Sequence, residues 1–103
     1  MIGLSYKHDV NDIRESPSVN IFLNLLKKIN KVDFYDPYIL FFEKASENYY
    51  SINNLSKINK YDIVLILTNH SNLNYKHILM QSKLIIDTRG VYKKIKSEKV
   101  FHF

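Results

Sequence analysis

The 103-residue chain has no cysteine, two glycines (Gly3 and Gly90) and one alanine, Ala45. The missing cysteine excludes a disulfide framework, a thiolate nucleophile and a zinc site of the cysteine type. A cysteine-free chain suits a reducing compartment, and the cytoplasm is the expected location. No apolar run approaches the roughly 20 residues that span a bilayer, and the amino terminus lacks the basic, apolar and small-residue succession of a signal peptide. The expectation is a soluble chain with no membrane partner.

Acidic residues are fewer than basic ones, which leaves a formal net charge of +5. A nucleic-acid surface would cluster those cations on one face. Here nearly all of them are lysines scattered along the chain, among abundant asparagine, isoleucine and tyrosine, the mark of A/T-biased coding. The nearest thing to a basic tail, Lys93, Lys94, Lys96 and Lys99, reads as a solvated segment, and no nucleic-acid partner is expected.

What is present is an alternation of strand and helix signals in a chain whose length predicts one domain, residues 1–103, with one modest core. Ile2 to Tyr6 reads as a short buried strand. Ser16-Pro17 reads as a helix start, the serine capping free amides and the proline presetting φ at the first helical position. Val19, Phe22, Leu23, Leu26 and Ile29 then form an apolar stripe, and Asn30 is expected to end the helix in a left-handed conformation. Val32 to Tyr35 is a second strand, stopped at Asp36-Pro37. Ile39 to Glu47 reads as a short helix, and Asn48 to Lys60 as a loop with a weak helix. Ile63 to Leu67, apolar throughout and rich in β-branching, reads as a strand buried on both faces. A helix over Asn74 to Ser82, a strand over Leu84 to Ile86 and an edge strand over Lys99 to Phe103 complete the pattern. The predicted fold class is α/β: a Rossmann-like open parallel sheet of about four or five strands with helices on both faces.

That architecture predicts where chemistry gathers. Ligands of open parallel sheets collect outside the carboxyl ends of the strands, where this chain carries Tyr6-Lys7, Asp36, Thr68-Asn69-His70 and Asp87-Thr88-Arg89. Lys7 and Arg89 either reach a ligand with anionic oxygens, such as a phosphorylated small molecule, or pair with Asp9, Asp12 or Asp87 as surface cations. Asp12 and Arg14 read as loop-internal charges that shape the turn into the first helix. His70 is a candidate hydrogen-bond donor at the ligand edge. A dinucleotide pyrophosphate needs glycines where strand meets helix, and none stands there, so no nicotinamide cofactor is expected on this chain. Asp36 resembles a ribose-binding acid but reads better as the start of an Asp-Pro turn. His8, His77 and His102 read as exposed or locally bonded. No pair of histidines has metal-ligand spacing, and no nucleophile-base pairing is visible. Phe41-Phe42 and Tyr49-Tyr50 read as core or interface aromatics.

The segments YKHDVNDIRESPS (6–18), VDFYDPYI (32–39), LTNHSNLNY (67–75) and LIIDTRGVYKKI (84–95), in that order and spacing, resemble the carboxyl-terminal UDP-binding domain of the UDP-glucose/GDP-mannose dehydrogenase family. The tyrosine-lysine opening, DVND and TNHS are most similar to the branch acting on UDP-N-acetylglucosamine or UDP-N-acetylmannosamine. The resemblance implies an oxidoreductase that takes a nucleotide sugar from C6 alcohol to carboxylate with two NAD, through a thiohemiacetal and thioester on a cysteine, for polysaccharide precursors. It implies UDP-sugar contacts at Tyr6, Lys7 and Arg89, and a loop-shaping role for Asp12, Arg14 and Ser16. Gly90 stands where many relatives carry asparagine. The family's NAD-binding and central domains are absent from this sequence, and with them the catalytic cysteine. The chain alone is therefore expected to be inactive and to bind no cofactor, NAD belonging to the intact enzyme. Met1 stands almost directly on the first strand, which suggests a truncated or split gene. A separate chain with the missing domains, a stand-alone UDP-binding module and a non-functional remnant are the readings this leaves.

Overall fold

The computed structural model describes every residue except Tyr6, His8, Asn11 and Glu15. Its elements are α1 (Pro17–Lys28), β1 (Phe41–Lys44), β2 (Glu47–Tyr50), a 3-10 turn (Ile58–Lys60), β3 (Val64–Ile66), α2 (Tyr75–Gln81), β4 (Ile85–Asp87) and β5 (Val100–His102). β3, β4 and β5 form a parallel sheet in that order. Ile2 extends it by bridging in parallel to both Ile66 and Tyr35, with Ile2 N–H donating to the Leu65 carbonyl (2.8 Å) and Gly3 N–H to that of Tyr35 (2.9 Å). The lateral order is therefore the Tyr35 segment, the Ile2 segment, β3, β4 and β5. The expected strands at 2–6 and 32–35 are present only as these single bridges.

The order reverses between the Ile2 segment and β3, and such a switch point opens a crevice at the carboxyl ends of the strands. Gly3 makes the approach there possible. Its φ is +93°, and a Cβ added to it would lie 2.5 Å from the Thr68 amide nitrogen and 2.8 Å from the Thr68 Cα. Ile2 and Leu4 would share a face in a regular strand. Across this glycine they instead join different cores.

Ile2 packs with Val64, Ile66, Ile85 and Val100 of the sheet and with Ile58, Ile78 of α2 and Tyr92. Leu4 packs with Val19 and Phe22 of α1 and with Phe34, Ile39 and Phe42. Tyr35 pairs with Ile2, so Phe34, one residue earlier, faces the other way. The two helices thus cover opposite faces of the sheet, as the strand-helix alternation predicts.

The helix expected over Ile39 to Glu47 is instead one arm and the turn of an antiparallel hairpin, β1 paired with β2 with Lys44 opposite Glu47. Ala45 and Ser46 turn it, both left-handed at φ 52° and 65°, the conformation a two-residue hairpin loop requires. Strand alternation also answers the aromatic question. Phe42 and Tyr49 point inward and stack at 5.1 Å, within reach of Phe22, while Phe41 and Tyr50 face outward and are exposed. The weak helix expected before Lys60 is the 3-10 turn.

Two helix-end expectations also change. Ser16 stands at the start of α1 with Pro17 behind it, but its hydroxyl makes no capping bond. It donates to the Leu4 carbonyl (2.6 Å), tying the helix start to the first segment. α1 ends through extended backbone at Ile29 rather than a left-handed Asn30. Asn74 does cap α2, its side chain accepting from His77 N–H.

Candidate functional site at the strand ends

Two fully buried aspartates organise the carboxyl edge of the sheet. Asp36 Oδ1 accepts from the amides of Tyr38 (2.8 Å) and Ile39 (3.2 Å), closing the Asp-Pro turn read from the sequence. Its Oδ2 reaches across to the first segment, accepting from Leu4 N–H (2.7 Å) and Ser5 N–H (3.1 Å), and lies 2.9 Å from His70 Nε2. Burial works to raise this carboxyl, but the His70 contact and the amides of Leu4, Tyr38 and Ser5 outweigh it and hold the group below its ordinary value. Asp87, at the end of β4, accepts from Arg89 N–H (3.0 Å), Val91 N–H (3.2 Å) and Tyr92 N–H (2.8 Å). It shapes the turn that presents Arg89, helped by Gly90 at φ +70°. Asparagine, which tolerates that conformation, would preserve the turn.

His70, expected to offer a donor at the ligand edge, is fully buried with both ring nitrogens engaged. Nε2 faces Asp36, with Ser5 Oγ at 3.3 Å, and Nδ1 accepts from Asp9 N–H at 2.8 Å. Asp9 also binds Ser71 through its amide (2.7 Å) and hydroxyl (2.6 Å), so the loop after the first segment is fastened to the loop after β3. Thr68 Oγ1 adds a bond to the Ser5 carbonyl (2.9 Å). Below this edge the Tyr75 hydroxyl is buried without a hydrogen-bond partner among the described residues, and burial pushes it up to about 12, so it stays neutral.

Lys7 is exposed, and its carbonyl accepts from Ser5 Oγ at 2.9 Å. Arg89 is exposed at its tip but anchored at its base, Nε donating to the Leu67 carbonyl at 2.7 Å. Among the described residues its terminal guanidinium nitrogens make no hydrogen bond or ion pair. Arg89 is thus tied directly to Leu67, while the residues that flank Lys7, Ser5 and Asp9, are tied to Thr68 and His70. Asp12 feels the Lys7 charge, but the partner it bonds is Arg14. Arg14 Nε and Nη2 donate to the two Asp12 oxygens at 3.1 and 3.0 Å and Arg14 N–H to Oδ1 at 2.9 Å. The guanidinium holds the Asp12 carboxyl down at about 2. Tyr6 lies outside the described residues.

No group of three or more potential metal ligands occurs among the described residues. Gly3, in the first segment, is walled in by Thr68. A cavity of about 400 Å³ lies at the opposite, amino end of the strands, between Leu25 of α1, Ile29 just past it, and Met1, Ile63 and Leu65. Its walls are largely apolar and carry none of these groups. No helix among the described residues is long and apolar enough to cross a membrane.

A family model described as UDP-glucose/GDP-mannose dehydrogenase family, UDP binding domain, matches residues 1–94. The chain belongs to this family. An NDP-N-acetyl-D-galactosaminuronic acid dehydrogenase of Ralstonia nicotianae is 29% identical over 92 residues, covering 87% of this chain and 22% of that protein. A UDP-N-acetyl-D-mannosamine dehydrogenase of Methanococcus aeolicus is 33% identical over 99 residues, covering 87% and 21%. Among solved structures, the UDP-N-acetyl-mannosamine dehydrogenase of S. aureus superposes with a TM-score of 0.69 at 34% identity, over 99% of this chain and 24% of that one. The corresponding enzyme of Pyrococcus horikoshii gives 0.72 at 25% identity, over 98% and 24%. The chain spans roughly a fifth to a quarter of the relatives it matches and corresponds to the UDP-binding domain of nucleotide-sugar dehydrogenases.

Sequence reasoning placed Thr68 at this edge and named Asp9 only as a possible partner of the cations; it assigned no role to Ser5 or Ser71 and did not foresee the bonds that join these four residues across segments. Serine, threonine and aspartate near strand ends are too common to stand out. Their significance comes from partners some 30 to 65 positions away.

Proposed function

We propose that this chain supplies the UDP-sugar face of an NAD-dependent nucleotide-sugar 6-dehydrogenase, with Lys7 and Arg89 meeting the anionic part of the substrate and Tyr6 as a further contact. The observation that supports this reading is that Arg89 is anchored on Leu67 while Ser5 and Asp9, on either side of Lys7, are bonded to Thr68 and His70 of the same stretch. Arg89 contributes two terminal nitrogens, unpartnered among the described residues, in a fork suited to phosphate or carboxylate oxygens, and Lys7 contributes a point charge. Most of the named relatives act on 2-acetamido sugars, N-acetylmannosamine above all, which supports a 2-acetamido sugar over glucose. Oxidation of C6 to the carboxylate passes two hydrides to two NAD and requires a cysteine nucleophile. This chain has neither the cysteine nor a glycine-rich loop, so it binds no NAD and is inactive until another polypeptide segment or chain provides both.

The test is a thermal-unfolding series of the purified chain with UDP, UDP-N-acetylglucosamine and UDP-glucose. A ligand that binds only the folded state at a hundredfold excess over its dissociation constant stabilises it by about 2.7 kcal/mol. The expected result is a UDP-dependent rise in midpoint that disappears in Lys7→Ala and Arg89→Ala. A folded chain with no shift for any of the three ligands refutes a working nucleotide site on this chain.

A further inference from the structure

We propose that His70 is a positioning residue that sets the Lys7 loop for the nucleotide sugar; this rests on the reading of Lys7 given above. The backbone N–H of Asp9 can only donate, so His70 Nδ1, 2.8 Å away, must accept. The proton of the neutral ring then sits on Nε2, directed at Asp36 Oδ2 at 2.9 Å. One ring thus connects a buried carboxylate at the end of the Tyr35 segment to a backbone amide two residues past Lys7.

Lys7 is bracketed by this arrangement. Before it, Ser5 Oγ holds the Lys7 carbonyl and lies 3.3 Å from the same Nε2. After it, Asp9 is held by His70 Nδ1 in a left-handed conformation, φ 59°, which costs free energy and persists only where surrounding bonds enforce it. Tyr38 closes one flank of the ring at 5.0 Å between centroids. His70 is wholly buried and touches no ligand, so its effect on binding is exerted through the loop.

Two near-isosteres separate the two ends of the ring. In His70→Gln the side-chain amide reaches the Nε2 position, keeping a donor for Asp36 and leaving the Asp9 amide without its acceptor. In His70→Asn the carbonyl occupies the Nδ1 position, keeping the Asp9 acceptor and cutting the bond to Asp36. Titration calorimetry with UDP and urea unfolding are run on the full chain and both variants, with amide hydrogen exchange at Asp9. The expected result is about tenfold weaker UDP binding in His70→Gln, the factor one hydrogen bond of ordinary net strength supplies, with the larger loss of stability in His70→Asn. Parent-like affinity in His70→Gln, or affinity that merely follows stability in both variants, overturns the proposal. If the parent chain binds no UDP, the reading of Lys7 fails and exchange at Asp9 decides the matter alone. Faster exchange in the Gln than in the Asn variant upholds loop positioning, and equal protection overturns it.

Discussion

Asp36→Asn is the substitution that probes the strand-end edge most directly, because it changes one atom of a side chain that accepts five contacts. The carboxylate takes Tyr38 and Ile39 N–H on one oxygen and Leu4 N–H, Ser5 N–H and His70 Nε2 on the other. An amide has one oxygen. Whichever way it is turned, two backbone N–H groups lose their acceptor and face another donor. An orphaned buried donor costs about 1–3 kcal/mol, so the pair costs roughly 4 kcal/mol. That is a large share of the about 5–15 kcal/mol that holds a domain of this size together. Equilibrium urea unfolding followed by far-ultraviolet circular dichroism at neutral pH measures it, and a loss below about 1 kcal/mol would refute the reasoning. The pH dependence supplies a second check. The Asp36 carboxyl lies below its ordinary value of 3.8 in the folded chain, so its contribution is fully present above that value and lost as pH falls through the folded one. The gap between parent and variant should stay flat through neutral pH and narrow only in acid.

Three further outcomes follow from the geometry. Gly3→Ala combines a left-handed φ with a methyl group pressed against Thr68 backbone, so a loss of about 3 kcal/mol or outright failure to fold is expected in thermal melts; an unchanged midpoint would show that the approach at the switch point relaxes freely. Phe22→Ala removes a ring in edge contact with Phe34, Phe42 and Tyr49 and should cost about 3–5 kcal/mol in urea unfolding, with a loss under about 1 kcal/mol placing these rings outside the core. Arg89→Lys keeps the charge but loses the Nε bond to the Leu67 carbonyl; calorimetry should show about tenfold weaker UDP binding at nearly unchanged stability, and parent-like affinity would mean that the anchored fork is not what the ligand meets.

Much of this edge was legible in the sequence because the strongest signals are local. Ser16-Pro17 and the stripe from Val19 to Leu26 mark α1, the apolar run at Ile63 to Leu67 marks β3, and parallel order then brings the polar residues after each strand to one side. The hairpin over residues 41–50 was not legible for an equally local reason. Glu43, Lys44 and Ala45 favour a helix, and Ala45-Ser46 is not a pair that announces a left-handed two-residue turn. Packing of Phe42 and Tyr49 against Phe22 overrides that preference. The inward role of His70 was hidden because its partners, Asp36, Ser5 and Asp9, lie on two other segments, and single-sequence spacing carries no trace of such a meeting.

The placement of Ile2 between Tyr35 and Ile66 sets a timetable for a chain synthesised from its amino end. At about 5–20 residues per second, the first segment waits several seconds for the second of its two neighbours to be made. Until then Ile2 and Leu4 have only one flank to pair with, and Gly3 has no Thr68 to lie against. A nascent chain halted before Val64 therefore leaves the Ile2 segment with one neighbour, and the turn that presents Arg89 is the last part of the edge to be made.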